Sequence, residues 1–310
     1  MIRIAAAVAA TVVLTGCEFG DMAPSDRYQT DFHYTYDLAP NGKINAESFN
    51  GPIEITGWDQ DKVDISGAKY GSTEALRDSV KVDVHNAPDS VDIRASKGSA
   101  TTGNMGARIT MHVPRTAMLD RIMTSNGGIK IRDVAAAPHL KTSNGGITVS
   151  NVASDVDAHT SNGSITVEQA KGGATLKTSN GPIRIEEVNG PLEAETSNGG
   201  ITARSASDAS AKLKSSNGPI DFTLEKPPKG DIKAETHNGG IRLHLPAGSA
   251  AHIIADTSNG SISSDFDMSA TSGGGESRKH VDANIGIGGP TVELTTHNSP
   301  IRILKGSGGN

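Results

Sequence analysis

Residues 124–203 read TSNGGIKIRDVAAAPHLK, TSNGGITVSNVASDVDAH, TSNGSITVEQAKGGATLK, TSNGPIRIEEVNGPLEAE and TSNGGITA, four turns of one 18-residue phrase and the start of a fifth. The motif of Asn, then Gly or Ser, then Gly, Ser or Pro, then Ile recurs along the chain. Its Asn positions are Asn50, Asn126, Asn144, Asn162, Asn180, Asn198, Asn217, Asn238, Asn259 and Asn298. The step is 18 residues from Asn126 to Asn198, then 19, 21, 21 and 39. A fixed period in this range marks a solenoid, whose single coil cannot bury its apolar face alone.

Counting from the Asn as zero, positions −6, −4 and −2 of the regular coils are apolar, Thr or Ser, as in Val156, Ala158 and Thr160. Polar residues such as Asp157 and His159 fall between them, the period of a half-buried strand. A second apolar pair stands at +3 and +5: Ile147 and Val149, Ile165 and Val167, Ile183 and Ile185. The inward parity shifts by one across the Asn-Gly triplet. That triplet therefore reads as a corner, with glycine supplying backbone angles that other residues resist.

The Asn keeps the inward parity. Its amide is expected to point inside the corner and bond to the Asn of the next coil, with Thr at −2 forming a hydroxyl ladder beside it. The ladder positions are Asn126, Asn144, Asn162, Asn180, Asn198, Asn217, Asn238, Asn259 and Asn298. Coils that return to the same edge make parallel sheets, and such crossovers are right-handed by strong preference. The expected fold is all-β: a right-handed parallel β-helix, or β-solenoid, of about 18–21 residues per coil. About ten coils at strand spacing make a rod of roughly 50 Å.

The expected domain is 31–304, with less regular coils over 31–120 and regular repeats over 121–304. Ser72–Ser79 has helical spacing and suits a short helix over the open end. Ser269–Lys279 reads as an excursion and 305–310 as a flexible tail.

Residues 1–16 read as a lipoprotein signal peptide: Arg3 in a short positive region, then an apolar stretch too short to span a bilayer. It ends in Leu14-Thr15-Gly16-Cys17, which resembles a lipobox. The resemblance implies cleavage before Cys17, lipid on its sulfur and acylation of the new amino terminus. Cys17 is the one cysteine, so no disulfide competes for it. Residues 17–30 are the lipidated Cys and a polar tether. Glu18, where an inner-membrane retention signal has Asp, resembles an outer-membrane address.

A net charge of −6 gives no electrostatic reason to expect nucleic acid. Aromatics at 3% and 36 glycines suit a chain that turns often and stacks small, branched side chains.

The run Ser48-Phe49-Asn50-Gly51-Pro52-Ile53-Glu54-Ile55-Thr56-Gly57-Trp58-Asp59, followed by the Thr-Ser-Asn-Gly-x-Ile coils, resembles a bacterial "putative adhesin" family of unknown function. It covers roughly 30–304. The resemblance implies a β-helical fold, export or lipid anchoring, and a cell-surface or adhesive role, and it transfers no catalytic residues.

The ten histidines show no metal-ligand spacing. His237 and His297 share the −1 position, but the sequence places two or three coils between them, over ~10 Å. That is too far for one zinc ion, whose His ligands lie at about 2 Å. Lys177, Glu195, Lys214 and Glu235 at −3 alternate in sign as a stabilising ladder. Arg184, Arg204, Arg242 and Arg302 point outward without forming an anion site. No Gly-x-Ser-x-Gly nucleophile motif, calcium nonapeptide or phosphate loop occurs.

The expectation is a lipid-anchored envelope protein without catalysis, cofactor or metal. It would bind a protein or glycan at the cell surface or in the periplasm. An envelope-polysaccharide enzyme and an envelope-stress component docking to a membrane regulator are the alternatives.

Overall fold

The computed structural model describes residues 27–98, 102–270 and 279–306. Residues 1–16 (read as a signal peptide), Cys17, most of the stretch read as tether, the middle of the 269–279 stretch and residues 307–310 lie outside the described residues.

The amino-terminal end holds β1 (Tyr28–Asp37), β2 (Lys43–Ser48), β3 (Ile53–Trp58) and β4 (Lys62–Gly71). A helix, α1 (Glu74–Ser79), leads to β5 (Val80–Ala87), β6 (Ser90–Lys97) and β7 (Met105–Pro114). Strand pairs follow: β8 (Met118–Thr124) and β9 (Ile129–Val134), β10 (Ala137–Thr142) and β11 (Ile147–Val152), β12 (Val156–His159) and β13 (Ile165–Ala170). Next come β14 (Ala174–Thr178) and β15 (Ile183–Val188), β16 (Leu192–Thr196) and β17 (Ile201–Ser205), β18 (Ala211–Ser215) and β19 (Ile220–Leu224). Then come β20 (Ile232–Thr236) and β21 (Ile241–Pro246), β22 (Ala251–Thr257) and β23 (Ile262–Ser264). The chain ends through β24 (Met268–Ala270), β25 (His280–Ile285), β26 (Thr291–Thr296) and β27 (Ile301–Gly306). Strand β1 begins inside the stretch read as tether, and β27 runs into the stretch read as tail.

The fold is the expected all-β solenoid. Strands before the Asn corner stack into a 14-stranded sheet and strands after it into a 13-stranded sheet, both mostly parallel. Between the sheets, like residues stack in register: Ile147 on Ile165, Ile165 on Ile183, Ile183 on Ile201. All four are buried. Full burial of one such side chain contributes about 1.5–3 kcal/mol, so the core is a pile of equivalent layers.

Both ends depart from sequence order. The 14-stranded sheet begins β5-β6-β2-β8, and the 13-stranded sheet begins β1-β4-β7-β3-β9. The chain lays down β2 and β3, passes outward through β4, α1 and β5, adds β6 and β7 on the outer side, then resumes at β8. Strand β4 pairs antiparallel with both β1 and β7, and β5 antiparallel with β6, so no parallel edge is left open. Helix α1 starts at Thr73, whose hydroxyl accepts from the Leu76 amide at 3.2 Å. Leu76 packs on the core.

At the other end the order is β20-β26-β22-β25-β24 and β21-β27-β23. The last coil, β26 and β27, is threaded back between its two predecessors. The step of 39 from Asn259 to Asn298 is the length of the route out and back.

From Gly127 onward the corner glycines work by proximity, not by unusual backbone angles; only Gly51, at the first corner, has a positive φ, of 115°. An added Cβ on Gly145 would lie 2.0 Å from the Gly127 carbonyl oxygen, and one on Gly163 lies 1.9 Å from that of Gly145. Stacked corners touch backbone to backbone. In the regular coils the left-handed residues sit at the opposite corner and are not glycines: Asp133, Asn151, Gln169 and Glu187, with φ of 58°, 54°, 58° and 58°.

Candidate binding surface

Strand alternation sends positions −5, −3 and −1 to the outer face of the 14-stranded sheet, and parallel register lines them up in columns. Leu140 pairs with Ala158 and Lys141 with His159, which sets His139 beside Asp157. The His139 imidazole Nδ1 lies 3.2 Å from Asp157 Oδ2, and His159 Nε2 lies 2.7 Å from Asp157 Oδ1. Asp157 Oδ1 is shielded from solvent, and its approach to His159 lacks hydrogen-bond geometry. These three residues line an open concavity of about 380 Å³ with Arg121, Met123 and Lys141. Glu47 holds Arg121 by an ion pair, and Asn45 at the rim donates to Asp92 at 2.6 Å. The site offers a central carboxylate, two imidazoles and a thioether, a set suited to hydroxyl-rich or mixed polar ligands.

Farther along the same face, Lys177, Glu195, Lys214 and Glu235 stand on successive strands as the sequence suggests. Lys214 Nζ is 3.6 Å from Glu235, and Lys212 Nζ is 3.3 Å from Glu193. Lys233 reaches Glu293 at 2.8 Å across to the threaded coil, and this hydrogen bond holds its ammonium above the ordinary lysine range. A wider groove of about 560 Å³ runs over this charged stretch.

The Asn side chains form one line. Asn144 Nδ2 donates to Asn126 Oδ1 at 2.7 Å, and Asn162, Asn180 and Asn198 continue it at 2.8, 2.7 and 2.7 Å. Asn217, Asn238, Asn298 and Asn259 complete it in that spatial order. The expected inward orientation does not hold: all nine of these Asn residues are exposed. The parity shift falls before the Asn, not after it, so the interior ends at Thr −2.

Nor do the Thr hydroxyls pair with one another. Thr142, Thr160, Thr178 and Thr196 donate to the carbonyls of Gly127, Gly145, Gly163 and Gly181 at 2.8, 2.8, 2.9 and 3.0 Å. Each buried hydroxyl thus satisfies a corner carbonyl one coil away.

The threaded coil overturns one further expectation. His237 and His297, read as coils apart, are neighbours whose rings stack with centroids 4.8 Å apart and planes 12° from parallel. Arg242 and Arg302 stand in register on neighbouring strands, with Arg242 3.7 Å from Asp221. Cys17 lies outside the described residues. Among the described residues no group of three or more His, Cys, Asp or Glu is placed to hold a metal ion, and no helix is long and apolar enough to cross a membrane.

The His139, Asp157 and His159 cluster was not found from the sequence. The signal existed, since His139 and Asp157 both occupy position −5 of successive coils and His159 occupies −3 beside them.

Residues 42–303 match a family model described as Toastrack DUF4097. No curated protein matches the chain. Solved structures similar to the chain include the following three. A "putative cell adhesion protein" from Clostridium sporogenes shows 11% identity and a TM-score of 0.23, with 89% of this chain and 100% of that one covered. A "putative adhesin" from Bacteroides fragilis shows 13% identity and a TM-score of 0.33, covering 89% and 97%. Another from Parabacteroides distasonis shows 10% identity and a TM-score of 0.32, covering 88% and 97%.

Proposed function

Since the chain belongs to the Toastrack DUF4097 family, we infer that it works as a non-catalytic binding module of the cell envelope, carried on lipid attached to Cys17. The observation that carries this reading is the concavity over β8, β10 and β12, where Asp157 stands between His139 and His159. Its side chains project from a rigid parallel sheet, so their spacing is fixed before a ligand arrives, and little ordering entropy is lost on binding. The proposed ligand is a glycan or a protein presenting hydroxyl and amide groups.

The lipid on Cys17 would place the rod at a membrane, with Glu18 favouring the outer one. Several acyl chains, at ~0.8 kcal/mol per buried CH₂, suffice for stable anchoring.

Two measurements test this. Beads coated with the protein are assayed on arrays of envelope and host glycans and on intact cells. Binding should be lost in the His139→Ala/Asp157→Ala/His159→Ala variant while its melting curve is kept; unchanged binding would remove the concavity from the function. Labelling with a palmitate analogue should mark the wild type and not Cys17→Ser, and equal labelling sinks the anchor.

A further inference from the structure

Most histidines on this molecule are committed to carboxylates. His33 pairs with Asp64, His139 and His159 with Asp157, His244 with Asp221, His252 with Asp282, and His280 with Asp256. His237 and His297 instead face each other. They lie in matching segments, Thr236-His237-Asn238-Gly239-Gly240-Ile241-Arg242 and Thr296-His297-Asn298-Ser299-Pro300-Ile301-Arg302. These two coils are far apart in the chain and adjacent in space. Seven other coils carry Ser at the same position: Ser125, Ser143, Ser161, Ser179, Ser197, Ser216 and Ser258.

We propose that His237 and His297 together form a binding site for a divalent transition-metal ion, with copper(II) preferred over zinc(II). The backbone under the pair is fixed. The His297 amide donates to the His237 carbonyl at 3.1 Å. Asn298 Nδ2 donates to Asn238 Oδ1 at 2.7 Å, and buried Thr296 donates to the Gly239 carbonyl at 2.8 Å. Both imidazoles are exposed and project from rigid positions one strand apart. Ring centroids 4.8 Å apart allow modest side-chain rotation to bring one nitrogen of each ring to the ~2.0–2.1 Å of a metal–imidazole bond.

Ser258 Oγ lies 3.1 Å from His297 Nδ1. With the hydroxyl accepting from Nδ1–H, the lone pair is left on Nε2, the usual way an outer partner prepares a histidine ligand. Water completes the coordination, and the order of divalent-ion affinities for nitrogen sites puts copper first. The exposed, open position suits capture or crosslinking of metal at the envelope surface rather than a closed structural site.

The test titrates the full chain, in detergent and free of any polyhistidine tag, with copper(II) and zinc(II) chloride, by calorimetry and by the visible copper band. The wild type should bind one equivalent of copper that His237→Ser/His297→Ser lacks; serine is native to this position elsewhere, so the variant should keep its melting curve. His139→Ala/His159→Ala should retain that equivalent. Ser258→Ala should weaken it by roughly 10–100-fold, the usual effect of losing an outer partner. Copper titrations that are identical in the wild type and His237→Ser/His297→Ser overturn the proposal, as does a wild type that binds no copper.

Discussion

Asn298 donates its side-chain amide to Asn238 at 2.7 Å across 60 residues of sequence, while Asn259, nearer in the chain to Asn238, bonds to the far side of Asn298. The amide ladder therefore records the order in which coils are stacked, and that order differs from the order of synthesis.

Leu294 on β26 is buried with Ala234 on one side and Ala255 on the other. Leu294→Ala should cost about 2–5 kcal/mol. Because β26 is the only strand joining β22 to β20 in its sheet, amide exchange in β22 to β25 should rise together with that in β26. Faster exchange confined to β26 would contradict the threaded arrangement.

Gly163→Ala should be among the most damaging single-methyl additions in the protein. Its Cβ would fall 1.9 Å from a backbone oxygen that cannot rotate away. Overpacking costs about 1–3 kcal/mol even where side chains adjust, and the loss here should reach at least the top of that range. Gly248→Ala meets nothing within 4 Å and should leave urea unfolding unchanged.

Thr178→Val should destabilise more than Asn180→Ala. Thr178 is buried, and its loss strands the Gly163 carbonyl, at about 1–3 kcal/mol. Asn180 is exposed, so water replaces its two ladder partners and the net cost should be near 0.5–1.5 kcal/mol. Paired thermal melts decide this, and the reverse order would place the interior boundary at the Asn.

Gln169 holds φ of 58°, where a side chain costs about 1–2 kcal/mol. Gln169→Gly removes that strain at some expense in unfolded-chain entropy, so a net gain of about 0.5–1 kcal/mol is expected. A fall in melting temperature would show that the column of polar side chains at this corner outweighs the strain.

Asp208 and Lys229 meet at 2.6 Å between two far-side turns. The hydrogen bond from Lys229 lowers the Asp208 carboxyl below its usual 3.8 and raises Lys229 above 10.5. For the depressed acid, the stabilisation is present above pH 3.8 and fades as pH falls through the lowered folded value. For the raised base it is full below pH 10.5 and fades as pH rises past it. Asp208→Asn should flatten the melting temperature at both extremes. A wild-type profile and a variant profile that run parallel would refute the pairing.

The central coils could be read from sequence because each repeats the same inward set, and an 18-residue step leaves one way to stack them. The direction of the Asn amide could not. Parity fixes which strand residues face inward, but the residue at a corner belongs to neither strand, and Thr178 already closes the interior. The neighbours of His237 were hidden for another reason. Adjacency follows sequence order only when the chain moves one way, and the route through β24 and β25 reverses it. The His139, Asp157 and His159 group required reading columns across coils, where each residue alone looks like an ordinary surface side chain.

The doubling-back at both ends also limits how such a protein can change in length. A simple stack can grow by copying whichever coil lies outermost. Here the outermost strands β1, β5 and β24 are antiparallel and fed from inside, and only β23 ends its sheet in parallel pairing, so a duplicated terminal coil would find no matching pair of parallel edges to join. New coils fit only in the middle, between β8 and β21, where the Asn-Gly corners already match closely enough for an inserted copy to stack on either neighbour. The near-identical phrases over residues 124–203 are what a lineage that lengthens from its centre would leave behind.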